Sequence, residues 1–217
     1  SDTPMLLIAD SGSTKTEWRL VAPAGTTTAA RTDGLNPYFL DTQAIFTTLQ
    51  QLKPALPGEA APTAVYFYGA GCAGEAACGR VAEALLRCFP SLQTVSVQSD
   101  MLGAARAACG RSAGVVCILG TGSNAAFYDG ERITSPGYSL GFWLGDEGSG
   151  GHLGKALVLA YLHGQLPEPL RSEFEKQHPL DRLAVLNHAY QQPAPNRWFA
   201  GFTPFLSEHI THPFVQE

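Results

Sequence analysis

The chain opens on an apolar run, Met5 to Ala9, that stops at Asp10-Ser11-Gly12-Ser13. That pattern predicts a strand ending in a tight turn. Thr16 to Val21 alternates and predicts a returning strand; Ala24-Gly25 punctuates, and Thr26 to Arg31 supplies a third. Asp41 reads as the N-cap of a helix to about Lys53, with Ala44, Ile45, Leu49 and Leu52 on one face. Pro54 to Pro62 is a proline-bearing surface loop. Ala64 to Tyr68 predicts a strand, Glu75 to Phe89 a helix with Val81, Ala82, Leu85 and Leu86 inward, and Leu92 to Val97 a strand. Asp100 starts an alanine-rich helix to about Cys109. Such β-β-β-α-β-α-β-α order favours a sheet with helices on its faces.

The second half begins in the same way. Gly114 to Leu119 predicts a strand of the buried type that stops at Gly120-Thr121-Gly122-Ser123. Ala125 to Tyr128, an Asp129-Gly130 turn and Glu131 to Thr134 predict a hairpin. Ile8-Ala9-Asp10-Ser11-Gly12-Ser13-Thr14 aligns with Leu119-Gly120-Thr121-Gly122-Ser123-Asn124, an internal repeat of strand, Gly-Ser turn and returning strand. A glycine-dense loop follows from Gly145 to Gly151. Beyond it the pattern is helical: Leu153 to His163, Leu170 to Gln177, Leu180 to Tyr190 and Trp198 to His209, with no strand pattern after residue 145. The repeat implies two domains, 1–110 and 111–217, the second carrying a helical insertion over 152–210. Its tally of strands is incomplete at the C-terminal end, short by roughly a third to a half of an ordinary domain.

Composition narrows the classes. With 45% hydrophobic and 15% charged residues among 217, the chain can build a core and is not disordered. A net charge of −5 and the lack of a basic stripe argue against nucleic acid as a partner. No apolar run approaches the ~20 residues that cross a bilayer, and no secretory leader is visible. Five cysteines, odd in number and without a CxxC pair, argue against a disulfide framework or a four-ligand zinc site. The expectation is a reduced, cytoplasmic protein without membrane attachment; a homodimer is compatible with it.

The two Gly-Ser turns are the strongest chemical signal. A turn at a strand's end aims several backbone N–H groups one way, and glycine lets the backbone approach a ligand. Two such turns facing each other would grip a polyphosphate. Lys15 adds positive charge to the first, and Asp10 is placed to hold a hydrated Mg²⁺. The plainer reading is two ordinary hairpins, but the repeat together with Asp10 and Lys15 outweighs it. A Walker P-loop is excluded, because Thr14 and Ala9 stand where it needs glycine.

Two further motifs compete. Gly69-Ala70-Gly71-Cys72-Ala73-Gly74 matches the dinucleotide fingerprint GxGxxG between a strand and a helix, but it begins mid-chain and leaves both turns unexplained. Gly137-Tyr138-Ser139-Leu140-Gly141 matches GxSxG, but Pro136 precedes it and a glycine-rich loop follows, unlike a nucleophile elbow. Asp100 can be a plain helix N-cap, or a carboxylate at the mouth of a parallel strand that takes a proton from an alcohol. Asn36, Asn124 and Asp146 lie on loops, where each is a turn residue or a partner for sugar hydroxyls.

Asp10 to Thr16, Ser99-Asp100, Gly120 to Asn124 and Leu144 to Ser149 together resemble the N-acetylglucosamine kinases of the sugar-kinase, heat-shock-protein-70 and actin superfamily. The likeness runs from Leu6 through Arg197-Trp198-Phe199-Ala200-Gly201-Phe202, with the motifs in the family's order. BadF/BadG-type activator ATPases share the scaffold. The resemblance implies an α/β fold of two ribonuclease-H-like (actin-like ATPase) domains with ATP and Mg²⁺ in the cleft. By it, Gly12, Ser13, Thr14, Lys15 and Thr16 bind the nucleotide with Gly120, Thr121, Gly122 and Ser123. Asp10 serves the Mg²⁺ through water, and Asp100 is the base for the 6-hydroxyl of an amino sugar. Asn36, Gly71, Asn124 and Asp146 match the sugar-contacting stretches. The zinc cysteines of repressor-type sugar kinases and the cluster cysteines of the activator ATPases are both absent, which favours the kinase branch. Its strands and adenosine-binding glycine loop after the Phe-Ala-Gly-Phe helix are not found by Glu217. An activator ATPase and a non-catalytic sugar sensor are the alternative readings.

Overall fold

Period-two alternation places Leu7, Ala9 and Ser11 on one face of the first strand, and Thr16, Trp18 and Leu20 on the same face of its neighbour. In the computed structural model, which describes residues 5–56, 61–137 and 139–217, these strands begin a five-stranded sheet. It contains β1 (Leu6–Ser11), β2 (Lys15–Val21), β3 (Thr27–Asp33), β4 (Ala64–Gly69) and β5 (Thr94–Ser99), in the order β3-β2-β1-β4-β5. β1, β2 and β3 are antiparallel neighbours, whereas β1, β4 and β5 run parallel.

Helices α1 (Thr42–Leu52) and α2 (Glu75–Cys88) cover the inward face. Asp41 caps α1 by accepting the Ala44 amide at 2.8 Å, and Ile45, Leu49 and Leu52 are wholly buried. Each such side chain contributes about 1.5–3 kcal/mol by leaving water. α2 turns Val81, Ala84, Leu85 and Cys88 inward, not the expected Ala82 and Leu86; Leu86 is exposed. α3 (Asp100–Cys109) lies on the opposite face, where Gly103 packs against Tyr68, which alternates with the buried Phe67.

A three-stranded sheet follows, with β6 (Gly114–Leu119), β7 (Ser123–Tyr128) and β8 (Ile133–Pro136) in the order β6-β7-β8. β6 has the expected bounds but not the expected burial. It is an edge strand, and Val115 and Leu119 are about 70% exposed (70% and 72%). The β7–β8 connection is wider than a two-residue turn: Asp129 Oδ1 accepts the amides of Glu131 and Arg132, and β8 starts at Ile133.

Helices follow: α4 (Gly141–Leu144), α5 (Gly150–Leu162), α6 (Leu170–Gln177), α7 (Arg182–Tyr190), α8 (Pro195–Ala200), α9 (Thr203–Glu208) and α10 (Pro213–Gln216). The continuous helix expected from Trp198 to His209 is two, parted at Gly201-Phe202. Pro204 lacks the N–H an unbroken helix would need there, and sits instead in the first turn of α9. Among the described residues no strand follows β8, and no helix is long and apolar enough to cross a membrane. Two stretches of the sequence reading, 57–60 in the proline-bearing loop and Tyr138 in the GxSxG match, lie outside the described residues.

The chain divides into two compact units: Ser1–Val116 with Ala126–Pro136, and Cys117–Ala125 with Gly137–Glu217. A boundary at 110/111 does not anticipate that residues 126–136 group with the first unit. Tyr128 ties the segment to the first unit: its ring is buried, and its hydroxyl donates to the Gly110 carbonyl at 3.0 Å.

The second unit's core joins Phe142, Leu157, Phe174, Val185, Phe199, Phe202 and Phe205. Gly154 of α5 lies so close to the Phe199 carbonyl that a Cβ would collide with it. Gly154→Ala is expected to lower stability by about 1–3 kcal/mol, the range for overpacking, read as a lower urea midpoint.

Candidate functional site

The parallel registers decide what meets at the sheet's end. Ser11 pairs with Gly69, and Gly69 with Ser99, so the C-terminal ends of β1, β4 and β5 are level. In open α/β sheets this edge is where ligands bind. Three segments leave it: the turn after Ser11, the loop after Gly69 and the start of α3 at Asp100.

The first turn is held from beneath. Ser11 Oγ lies 2.8 Å from Thr16 Oγ1 and accepts the Leu35 amide at 3.0 Å, while the Thr16 hydroxyl donates to the Asp33 carbonyl at 3.0 Å. Both residues are fully buried, so the Thr16 hydroxyl serves the fold. Gly12 N donates to Lys15 O at 2.9 Å. The amides of Ser13 and Thr14 find no backbone partner among the described residues. Thr14 Oγ1 is buried without a hydrogen bond, an expensive condition for a hydroxyl. Lys15 extends along the sheet surface, where its ammonium is 3.2 Å from Glu17; Lys15 and Arg31 together hold the Glu17 carboxyl below its usual range.

Asp10 and Asp100, far apart in sequence, stand at the same sheet edge on either side of β4, near enough for the Asp10 charge to act on Asp100. Ser99 is the N-cap of α3, accepting the Leu102 amide at 3.3 Å, so Asp100 is the first helical residue and not the cap. Burial raises the proton affinity of Asp100 above that of an ordinary carboxylate; the Met101 amide, donating to Oδ1 at 2.8 Å, opposes this, and the Asp10 charge reinforces it. Oδ2 is the oxygen left to exchange a proton. Among the described residues no group of three or more His, Cys, Asp or Glu could hold a metal by itself. Mg²⁺ needs no such cluster: it keeps several waters and leans on phosphate oxygens, so a single carboxylate such as Asp10 can serve it.

The loop from Gly69 to Gly74 packs beside the stretch from Gly34 to Leu40. Gly71 has a positive φ of 77°, and a Cβ there would overlap the Asn36 side chain. Asn36 is buried and its Oδ1 accepts the Tyr38 amide at 2.9 Å, so its NH₂ group remains to donate outward. Gly34 sits against the backbone of Gly12 and Ser13, where a Cβ would come within 2.5–2.7 Å. Burial, with Cys78 and the Asp100 charge adding, pushes the Cys72 thiol up to about 12, so it is no nucleophile at neutral pH.

The second unit builds its own constellation. Gly120 N donates to Gly122 O at 2.9 Å, closing the turn. The N-terminus of α5 braces it: Gly150 N and Gly151 N donate to the carbonyls of Gly120 and Thr121 at 2.8 and 2.9 Å. Ser123 N donates to Asp146 Oδ1 at 3.3 Å, and Ser123 Oγ to the Glu147 carbonyl at 2.9 Å. Gly122 lies against the Asp146 carboxylate, where a Cβ would come to 2.8 Å. Asp146 is itself buried, in the left-handed region at φ 57°. The amides of Thr121 and Gly122 find no backbone partner among the described residues. A cavity of about 390 Å³ is lined by Ser123, Asn124 and Asp146 together with Leu119, Ser139 and Glu147.

The sequence signals thus converge in part. Asp10, the first turn, Asn36, Gly71 and Asp100 gather at one sheet edge; the second turn, Asn124 and Asp146 gather at the unit-two cavity. The reading missed Ser11, the hydroxyl that ties turn, strand and loop together, and the bracing of the second turn by α5. Ser149-Gly150-Gly151 before a helical run was the available cue, since Ser149 caps α5.

Comparisons with known proteins bear on the fold and the family. No protein-family model matches the chain, and no curated protein does. Among solved structures, a Porphyromonas gingivalis protein described as a candidate N-acetylglucosamine kinase is 44% identical, over 98% of this chain and 75% of its own, with a TM-score of 0.91. A Chromobacterium violaceum protein of the same description is 24% identical over 100% of this chain and 78% of its own, with a TM-score of 0.76. MreB5 of Spiroplasma citri, bound to ADP, shares the fold at a TM-score of 0.56 and 10% identity, over 81% of this chain and 63% of its own.

Proposed function

Since this chain belongs to the N-acetylglucosamine kinase family, we propose that it phosphorylates the 6-hydroxyl of N-acetylglucosamine or a closely related amino sugar. The observation that carries the reading is Asp100: a half-buried carboxylate at the level ends of three parallel strands, near enough to Asp10 to feel its charge. A general base works best when its proton affinity lies near the working pH, and burial moves Asp100 that way.

The residues present fit a nucleotide phosphate. The partnerless Thr14 hydroxyl and the amides of Ser13 and Thr14 are donors that phosphate oxygens would satisfy. The amides of Thr121 and Gly122 are a second such set, with Ser123 behind them. Lys15 would add charge at the first turn, and Asp10 would hold Mg²⁺ through its waters. Bound ATP with Mg²⁺ supplies the phosphoryl group and neutralises its charge.

The chain's own part is positioning and one proton. Asp100 Oδ2 takes the proton of the attacking hydroxyl while the Met101 amide keeps Oδ1 fixed. The outward NH₂ of Asn36 donates to a sugar oxygen, and Gly71 leaves room beside it. Asn124 and Asp146, in the second unit's cavity, are the further sugar partners.

ADP release with a panel of amino sugars and hexoses tests this. N-acetylglucosamine should raise the rate well above the sugar-free rate, and more than glucose does. ADP release that no sugar stimulates would instead mark a partner-activating ATPase, and its complete absence a sensor.

A further inference from the structure

Arg80 lies on α2, outside every motif singled out above. Its Nη2 donates to the Pro37 carbonyl at 2.7 Å, across 43 residues of sequence. The length is that of a charge-assisted bond. Pro37 follows Asn36 directly, and α2 is the helix into which the Gly69–Gly74 loop runs.

The Asn36 stretch is therefore pinned at both ends. Its front is pinned by Gly34 against the first turn and by the Leu35 amide on Ser11. Its back is pinned by Arg80. Between these points the Asn36 Oδ1 is engaged by Tyr38 N, and its side chain packs on Gly71. Without the rear bond the Pro37 carbonyl loses a strong donor, and the Asn36–Gly71 contact is left to packing alone.

We propose that Arg80 is the positioning residue of the acceptor subsite: by holding the Pro37 carbonyl it sets the Asn36 amide against the Gly71 loop. This rests on the reading of Asn36 as a sugar partner. Arg80 itself touches no reacting atom. Its removal should weaken acceptor binding without slowing the chemical step. A lysine can donate one hydrogen bond to the same carbonyl and should restore much of the effect.

Arg80→Met keeps the apolar stem and removes the donors. In the full chain, R80M is expected to raise KM for N-acetylglucosamine about tenfold, the scale of one hydrogen bond from a charged group, with kcat within about twofold and KM for ATP unchanged. R80K should return KM for the sugar most of the way. Hydrogen exchange of the peptide spanning 34–40 should quicken in R80M and not in R80K. Unchanged exchange in R80M would overturn the tether, whatever the kinetics. Faster exchange with an unchanged sugar KM, or an equal rise in the ATP KM, would overturn the assignment to the acceptor subsite. Wild-type protein without sugar-stimulated turnover would sink the kinase reading, and the exchange result would still judge the tether.

Discussion

Asp100→Asn lowers kcat for sugar phosphorylation by about 10²–10⁴-fold, the usual contribution of a general base, and leaves KM for the sugar within a few-fold. Asparagine keeps the shape and can still accept the Met101 amide that Oδ1 accepts at 2.8 Å, so α3 starts as before. What it cannot do is take a proton. The pH dependence gives an independent check. Burial raises the Asp100 proton affinity, and the neighbouring Asp10 charge raises it further. The carboxyl therefore stays protonated, and idle as a base, to a higher pH than an ordinary aspartate. Activity should fall as pH drops through that raised value, so the acid limb begins nearer neutrality. The residual activity of Asp100→Asn should lack the limb. A limb that persists in Asp100→Asn would assign the titrating group elsewhere.

Gly71→Ala is the second large effect. The position combines a positive φ of 77° with no room: a Cβ would overlap the Asn36 amide. Backbone strain and collision together should cost about 1–3 kcal/mol of stability. Because Asn36 is what must move, the sugar KM should rise by up to about tenfold, the scale of one lost hydrogen bond. Gly74→Ala separates the two causes. It also has a positive φ, 89°, but open space around the missing Cβ. It should lose some stability and keep its sugar KM. Equal kinetic effects in both variants would mean that strain, and not the Asn36 contact, is responsible.

Much of the first unit was legible because local signals agreed with the fold. Asp41 before a period of 3.6 gave α1 its start and its face. The stop of an apolar run at a Gly-Ser turn located both turns. Two of the failures share one cause: burial depends on what covers a face, which the chain writes elsewhere. β6 is apolar enough to read as buried, yet among the described residues nothing covers the face that carries Val115 and Leu119. On α2, Cys88 and Ala84 face the core while the larger Leu86 does not, so side-chain size misdirected the phase by part of a turn. The break at Gly201-Phe202 has a local cause instead: Pro204 lacks the N–H that an unbroken helix would need.

For the candidate site, the candidate residues were legible and their adjacency was not. Asp10 and Asp100 each stood at the end of a predicted strand, but their meeting depends on the β1-β4-β5 order and register. Asp146 and Ser123 are separated by 23 residues and joined by one bond from a backbone amide. Arg80 carried no motif at all, because its role is a bond to a carbonyl that any residue at position 37 would offer.

Phosphorus NMR of the reaction mixture tests the central claim most directly, because it sees where the phosphoryl group goes. With ATP, Mg²⁺ and N-acetylglucosamine, the wild-type protein should form N-acetylglucosamine 6-phosphate in equal amount to ADP. Asp100→Asn should form neither at a comparable rate. ADP accompanied by free phosphate and no sugar ester would contradict the account.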